Sequence, residues 1–365
     1  MPGADGFLPY LLWLLMVLAA LGLGFLVMVY RLQPLFLLPL AAGLLLGNLP
    51  QPDACRFLQP FLSALQHGLD SGLYVALIFL GWGAGVNLNP IIAHPRLLLL
   101  AGLTPLAFFL VLALGQFLGL SPLESAGIAL IGGGDGLSAT FLTAQVAPEL
   151  SGPVSLAAFT LIGLHLRCQP YLVRLLTNRT ERVLRMPPTR KVSRRESLWF
   201  ALAGLILTLT LIPAAALLTG MFFLGYLVKE SGIMERLGRT LANRLAEIVS
   251  LLLGLAVGSR CPAALIFTVG SLKIILLGLA ALLLANVVVI LAIKAINLLV
   301  SRKINPLVGA AALGLIPNAA HAAHVMSRRE DPRVNLYPHA LAASQAALLI
   351  STLTAGLLWS ILGSR

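Results

Sequence analysis

Runs of apolar residues, many of them about 20 residues long, follow one another along the whole chain of 365 residues. A helix needs about 20 apolar residues to cross the hydrocarbon of a bilayer. The runs lie near residues 7–30, 33–50, 72–92, 97–119, 122–147, 151–176, 197–218, 219–229, 247–270, 272–300, 304–325 and 339–362. Because backbone in lipid must satisfy its own hydrogen bonds, we predict an all-α polytopic membrane protein. Several runs are short or interrupted by Gly and Pro, so we expect about eight to ten crossings plus re-entrant pieces.

The charge of the chain fits a membrane location. Only 10% of the residues are charged, and 25 Lys and Arg against 13 acids give a net charge of +12. The basic residues lie between the apolar runs, where they mark cytoplasmic loops and attract anionic lipid, so nucleic acid is not an expected partner. The first run is too long for the core of a signal peptide and has no small-residue cleavage site, so we count it as a span.

The three cysteines, Cys55, Cys168 and Cys261, stand far apart in the sequence. They form no CxxC pair and show no metal-ligand spacing. We interpret them as small apolar packing residues.

The most polar segment, residues 178–197, lies at the middle of the chain. Its basic residues are Arg179, Arg182, Arg185, Arg190, Lys191, Arg194 and Arg195, against Glu181 and Glu196. The positive-inside rule makes this basic loop cytoplasmic. It either only sets the topology or also docks an acidic partner or lipid.

Dividing the chain at the basic loop reveals a weak internal repeat. We expect a first membrane repeat over 1–177, the linker at 178–197 and a second, inverted repeat over 198–365. The matching stretches are LPLAAGLLLGNL with LTGMFFLGYLV, IFLGWGAGVNLNP with LLLGLAVGSRCP, and LIGGGDGLSA with LVGAAALGLI. Gly-interrupted segments at corresponding positions of two halves indicate a transporter site near mid-membrane, although small residues also serve close helix packing.

The first broken helix, 122–147, carries a carboxylate at its centre. Ser121, Pro122 and Glu124 have the pattern of a helix start with a capping box. Asp135 then lies about 16 Å along the helix, half of a hydrocarbon core of about 30 Å.

Placing Asp135 there costs on the order of 2.5–3.5 kcal/mol, so a cation, a proton or a polar partner is expected beside it. The neighbouring glycines can expose carbonyl oxygens, and Ser138 and Thr140 add hydroxyls. Oxygen ligands suit a hard cation such as sodium, and a carried proton almost as well. The alternative is a protonated aspartate that donates one hydrogen bond.

The second broken helix, 304–325, begins with Asn305 and Pro306, again resembling a capped helix start. Gly309 and Gly314 loosen it and Pro317 breaks it. Asn305 and Asn318 can offer amide oxygens. His321 and His324 lie on nearly one face, as half of a metal site, a cavity lining or a proton relay.

Known soluble catalytic motifs are absent from the sequence. GGGDGLS lacks the lysine and the preceding strand of a phosphate loop, and the chain has neither a nucleophile elbow nor HExxH.

Several stretches resemble the membrane beta subunit of sodium-pumping biotin-dependent decarboxylases, which act on oxaloacetate, methylmalonyl-CoA, glutaconyl-CoA or malonate. The stretches are QPLFLLPLAAGLLLGNLP, IGGGDGLSATFLTAQVAPELSG, RKVSRRE, GMFFLGYLVKESGIMERL and INPLVGAAALGLIP. The likeness is collinear from about residue 30 to residue 360.

The resemblance implies that a soluble subunit moves a carboxyl group to biotin, and that this subunit decarboxylates carboxybiotin, consumes a proton and exports sodium. It implies Asp135 as the essential aspartate, with Asn305 and Gly309 as sodium ligands from the other half; Ser138 and Asn318 are further candidates, and His321 is a possible proton relay. Carboxybiotin would come from a partner rather than be attached to this chain. The implied partners are a biotin-carrying carboxyltransferase alpha subunit and a small membrane gamma or delta subunit, in an oligomeric complex of the bacterial cytoplasmic (inner) membrane.

The sequence departs from the family pattern around these positions. Leu137 and Ser138 replace a proline and a threonine, Ala310 and Gly314 replace serines, His321 replaces an arginine, Leu161 a tyrosine and Asn87 an aspartate.

The leading hypothesis is therefore a subunit that couples decarboxylation of carboxybiotin to sodium export. A second hypothesis is a secondary transporter of an organic anion, coupled to protons or sodium, without a biotin partner. A third is a structural membrane subunit whose site has decayed.

Overall fold

The computed structural model describes residues 4–30, 34–49, 56–314 and 317–363. These residues form helices joined by turns, with no strand among them. The first half contains α1 Ala4–Tyr30, α2 Pro34–Gly47, α3 Gln59–Asp70, α4 Leu73–Gly85, α5 Asn89–Ala93, α6 Arg96–Ala101, α7 Thr104–Phe117, α8 Pro122–Ile131, α9 Gly136–Val146, α10 Ser151–Leu176 and α11 Arg179–Arg182. The second half contains α12 Arg194–Leu211, α13 Met221–Ser231, α14 Glu235–Thr240, α15 Ala246–Ser259, α16 Ala263–Ile266, α17 Val269–Leu299, α18 Leu307–Ala310, α19 Asn318–Glu330 and α20 Tyr337–Leu362. Cys55 lies outside the described residues.

The prediction of an all-α polytopic membrane protein is confirmed. Within the described ranges, six stretches are long and apolar enough to span a bilayer, and the pair α3 and α4, bent by 60°, makes a seventh. The six are Tyr10–Val29, Arg96–Phe117, Pro148–Leu176, Glu235–Ser259, Val269–Leu299 and Tyr337–Leu362. This number is lower than the expected eight to ten crossings because apolar runs such as 33–50 and 219–229 form helices of only 14 and 11 residues.

Two helix pairs pack very closely in the bundle. α2 packs against α15, and α4 packs against α13. A Cβ added at Gly258 would lie 2.2 Å from the Leu40 carbonyl oxygen, and one at Gly83 would lie 1.9 Å from that of Phe222. Both pairs therefore depend on glycine, because only a residue without a side chain permits this backbone approach.

α17 is the long helix against which both broken segments pack. Gly132, between α8 and α9, faces Ala281, whereas Gly309 of α18 faces Val289 and Ile290. Eight or nine residues of helix separate these levels, which is about 13 Å along the axis. α17 thus positions the two breaks relative to each other.

Candidate functional site at the crossing of two broken helices

The first broken segment begins as the sequence predicts. The Ser121 hydroxyl accepts from the Glu124 N–H at 3.2 Å, and the Glu124 carboxylate accepts from the Ser121 N–H at 2.6 Å. This capping box starts α8, which ends at Ile131. Gly134 then adopts φ +70°, a left-handed conformation that glycine enters without strain. The chain resumes as α9 at Gly136.

Asp135 lies in this break and caps α9. Its Oδ1 accepts from the Ser138 N–H at 3.0 Å, and the residue is only 2% exposed. Its Oδ2 is buried and has no hydrogen-bond partner among the described residues. A buried polar atom without a partner costs about 1–3 kcal/mol, more when charged, so this oxygen indicates a missing partner such as a cation or a proton.

Two hydroxyls beside Asp135 are also unsatisfied. Ser138 and Ser351 are both fully buried, and neither hydroxyl has a hydrogen-bond partner within the described residues. Both lie within interaction range of the Asp135 carboxylate. Ser351 comes from α20 and also faces Gly133, so the site joins elements far apart in sequence.

The second broken segment reaches the site through Gly314. Its N–H donates to the Gly133 carbonyl at 2.7 Å, which connects the two breaks directly. A Cβ at Gly314 would lie 3.4 Å from the Asp135 Cβ. Gly314 is therefore the described residue of this segment that adjoins the carboxylate.

Asn305 and Gly309 are not brought to Asp135 in this structure. The Asn305 Oδ1 accepts from the Leu307 N–H at 2.9 Å, so Asn305 does cap the start of α18. Its amide group donates to the carbonyls of Arg182 and Leu184 at 3.0 and 2.9 Å. Gly309 packs on α17 about 13 Å from the level of Gly132. Their positions follow from the basic loop and from α17, neither of which the sequence pattern relates to Asp135.

The remaining predicted residues lie on α19. Asn318 and His321 are exposed, and the ring of His324 packs edge-on against Tyr337 with centroids 5.8 Å apart. Among the described residues, no group of three or more His, Cys, Asp or Glu side chains is placed to hold a metal ion. The two histidines thus acquire no third ligand of those residue types in the described part of the chain.

A set of buried polar side chains on α10 and α17 was not predicted from the sequence. The His165 Nε2 lies 2.6 Å from the Asn286 Nδ2, and the Gln169 amide donates to the Ala310 carbonyl at 2.5 Å. His165 and Gln169 lie on one face of α10, where Phe159 and Ile162 contact Gly136. Their i, i+4 spacing is the signal that could have identified them.

A cavity of about 420 Å³ adjoins the crossing point. It is lined by Pro317 and by Leu348, which lies next to Gly314. Asn87 and Gln345 also line it, and the Gln345 amide donates to the Asn87 carbonyl. The Oε1 of Gln345 is buried without a partner among the described residues, so this wall offers a free acceptor to a polar ligand.

The basic loop binds acidic residues of its own chain. Arg182 contacts Glu330 at 3.0 Å, and Arg179 contacts the same carboxylate at 3.4 Å. Arg185 pairs with Asp331 at 3.0 Å. The loop is therefore partly neutralised and attached to the end of α19.

The fold and the site together define a polytopic α-helical membrane protein in which two broken helices meet at a buried carboxylate. The family model for the Na+-transporting oxaloacetate decarboxylase beta subunit matches residues 13–362, and the chain belongs to this family.

Relatives of three specificities resemble the chain over most of its length. The methylmalonyl-CoA decarboxylase subunit beta of Propionigenium modestum is 34% identical over 96% of this chain and 95% of its own. The glutaconyl-CoA decarboxylase subunit beta of Acidaminococcus fermentans is 31% identical over 96% and 93%. Oxaloacetate decarboxylase beta chain 2 of Salmonella typhi is 34% identical over 80% and 68%. The resemblance seen in the sequence is thus confirmed, and the chain is a membrane component of the decarboxylase type.

Proposed function

We propose that this chain couples the decarboxylation of carboxybiotin to the export of sodium across the bacterial cytoplasmic membrane. The observation that carries the proposal is the unpartnered Oδ2 of Asp135, buried where two broken helices meet. Family membership supplies the reaction class.

The ion site fits a hard monovalent cation. Asp135 supplies the charge, and the hydroxyls of Ser138 and Ser351 supply neutral oxygens that lack other partners. Sodium prefers such oxygen ligands, and one carboxylate matches its single charge. In the proposed site, the ligand from the second half of the chain is Ser351, whereas the resemblance implied Asn305 and Gly309.

The chemical step needs a proton and releases carbon dioxide. The bond between the carboxyl carbon and the biotin nitrogen breaks, its electron pair stays on nitrogen, and a proton binds there. Asp135, buried and without a second partner, is unfavourable as a bare carboxylate, so release of sodium favours uptake of a proton. This exchange is how Asp135 would link ion movement to the proton that the reaction consumes.

The proposed repeats are 1–177 and 198–365, joined by the linker 178–197. Helix packing supports this division. In the internal repeat, α2 of the first half corresponds to α13 of the second half, and α4 corresponds to α15. The contact between α2 and α15 therefore has the contact between α13 and α4 as its counterpart. These are the two closely packed pairs of the bundle. One repeat moving against the other would open the site alternately to each side.

We further propose that carboxybiotin is carried by an alpha subunit, that a small gamma or delta subunit completes the oligomeric complex, and that anionic lipid contacts the basic loop. Exposed charges remain for such contacts, because Lys191 and Arg195 are both exposed.

One observation favours the rival proposal of an organic-anion transporter. His321, where the resemblance has an arginine, is exposed on α19 just beyond the break, and histidine is a residue type that proteins use as a proton shuttle. Such a transporter would move its anion without a biotin carrier.

The test is the sodium dependence of decarboxylation by the purified, reconstituted complex. We expect turnover to require sodium and to be lost in Asp135→Asn. Wild-type turnover indifferent to sodium contradicts sodium coupling, anion exchange without a carrier supports the transporter, and unchanged activity in Asp135→Ala indicates a decayed site.

A further inference from the structure

A second, smaller cavity lies at the end of the molecule that carries the basic loop. Its volume is about 220 Å³. Arg185 and Arg333 line it together with Asn335, and Pro187, Pro188, Pro338 and Met186 form apolar walls. It is separate from the crossing point, because no residue that surrounds Asp135 lines it.

His339 is the buried polar side chain of this cavity. It lines the cavity, is 2% exposed, and has no hydrogen-bond partner on either ring nitrogen among the described residues. Its ring packs on that of His94, with centroids 4.3 Å apart, and the His94 Nε2 lies 3.4 Å from the Thr189 hydroxyl. A histidine buried beside a cavity with both nitrogens unpaired indicates that a ligand supplies the missing bond.

The charges around the cavity favour an anion. The Arg185 guanidinium contacts Asp331 at 3.0 Å, and the Arg333 N–H donates to the same carboxylate at 2.9 Å. These two contacts hold the pKa of Asp331 below its usual value, with the Arg333 N–H as the larger cause. Two guanidinium charges against one carboxylate leave one positive charge. His339 also lies in the first turn of the 26-residue helix α20, where the helix dipole is positive.

We propose that this cavity is a binding site for a small carboxylate-type oxyanion, held by Arg333, Arg185 and His339. A planar carboxylate fits a guanidinium fork in two parallel hydrogen bonds, and its single charge matches the net charge of the cavity. The Arg333 guanidinium makes no hydrogen bond to the described residues, so it is free to bind. Pro187, Pro188 and Pro338 make part of the wall apolar, and charges attract more strongly beside an apolar wall than in bulk water.

Two sources could supply this chemistry: free bicarbonate, or a carboxyl group presented on a carrier. The anion site is inferred from the cavity and its charged residues. Its role in receiving a carboxyl group rests in addition on the proposed function. Binding measured on the isolated chain keeps the two apart, because sodium-dependent turnover tests only the proposed function.

The experiment is calorimetric titration of the full chain in neutral detergent. The probes are potassium acetate, potassium bicarbonate, potassium phosphate, a short-chain phosphatidylglycerol, and carboxylated biotin carrier from the complex. The variants are Arg333→Gln and His339→Phe, and the matched control is Arg329→Gln, an exposed arginine on α19 outside the cavity.

We expect acetate and bicarbonate to bind the wild type and the Arg329→Gln control alike, and to bind Arg333→Gln and His339→Phe about tenfold or more weakly, since each variant removes a hydrogen bond to a charged ligand. Unaltered thermal unfolding of the variants shows that they are folded. If the carboxylated carrier displaces acetate, the carrier is the source; if it does not, free bicarbonate is. Absence of acetate and bicarbonate binding overturns the proposal, as does tighter binding of phosphate or phosphatidylglycerol, or equal weakening in Arg329→Gln.

Discussion

The two carboxylate oxygens of Asp135 differ: Oδ1 accepts a hydrogen bond, and Oδ2 has no partner among the described residues. Oδ1 is committed to capping α9 through the Ser138 N–H, so the carboxylate cannot rotate away without loss of that cap. Oδ2 remains available next to the hydroxyls of Ser138 and Ser351. Under the proposed function, a carboxylate fixed in this way binds a cation at little further cost in side-chain entropy.

A substitution at Asn305 tests whether this residue stabilises the fold or binds sodium. Asn305→Ala removes the acceptor for Leu307 and the donor for the Arg182 and Leu184 carbonyls, so we expect a loss of about 1–3 kcal/mol of stability. The KM for sodium should remain unchanged. Thermal unfolding and sodium titration of turnover measure the two effects.

The control for this prediction is Asn243→Ala, at an exposed asparagine, which should alter neither quantity. A KM for sodium raised tenfold in Asn305→Ala with unaltered stability would instead place Asn305 in the ion site, as the family resemblance implies.

His94 is expected to make the stability of the fold depend on pH. Burial first, and then the positive charge of Arg190, lower the pKa of His94 below its usual value of 6.5. The unfolded chain therefore binds the proton more tightly, so the stability contributed by neutral His94 is complete above about pH 6.5 and is lost as pH falls below it.

His94→Phe keeps a ring against His339 but cannot titrate. We expect the melting temperature of this variant to fall less than that of the wild type between pH 7.5 and 5.5, a range of about one unit either side of the ordinary pKa. His67→Phe, at an exposed position, is the control and should follow the wild type. Identical pH profiles for His94→Phe and the wild type would refute this assignment.

At the scale of elements, glycine decides how closely the helices approach. Gly83 and Gly225 bring α4 and α13 together, and an added Cβ at Gly225 would lie 2.0 Å from the Leu80 carbonyl oxygen. Backbone cannot retreat as a flexible side chain can. These glycines are therefore packing residues, while Gly134 serves the turn before Asp135.

Gly83→Ala compared with Gly22→Ala isolates this effect. Both substitutions replace a glycine within a helix and gain helix propensity, up to about 1 kcal/mol. Only Gly83→Ala meets backbone, since nothing lies within 4 Å of a Cβ at Gly22. We expect a net loss of about 1–3 kcal/mol for Gly83→Ala and no loss for Gly22→Ala in thermal unfolding. Equal stability of the Gly83→Ala and Gly22→Ala variants would contradict the close backbone contact between α4 and α13.

Local features of the elements were predictable from sequence, and distant contacts were not. The capping box at Ser121 and the break at Asp135 depend on neighbouring residues, so both were predicted. The bond from Gly314 to Gly133 joins residues about 180 positions apart, and Ser351 lies further still along the chain. Local pattern contains no information on which turn of α17 each segment packs against. Asn305 was therefore expected beside Asp135, while Ser351 was not expected there.

At the scale of the whole molecule, both cavities are lined by residues from the start of α20. The larger cavity is lined by Tyr337 and also by Leu348, which lies next to Gly314. The smaller cavity is lined by Pro338 and His339 of the same helix start, together with Arg185. Under the proposed function, a soluble partner that docks on the basic loop would present its carboxyl group at this end of α20.

The most direct test of the central claim is the uptake of radioactive sodium by proteoliposomes that contain the assembled complex, driven by decarboxylation. We predict uptake in the wild type and in Glu235→Gln, a control at an exposed carboxylate, and none in Asp135→Asn. Sodium uptake by Asp135→Asn at the wild-type rate would contradict the account.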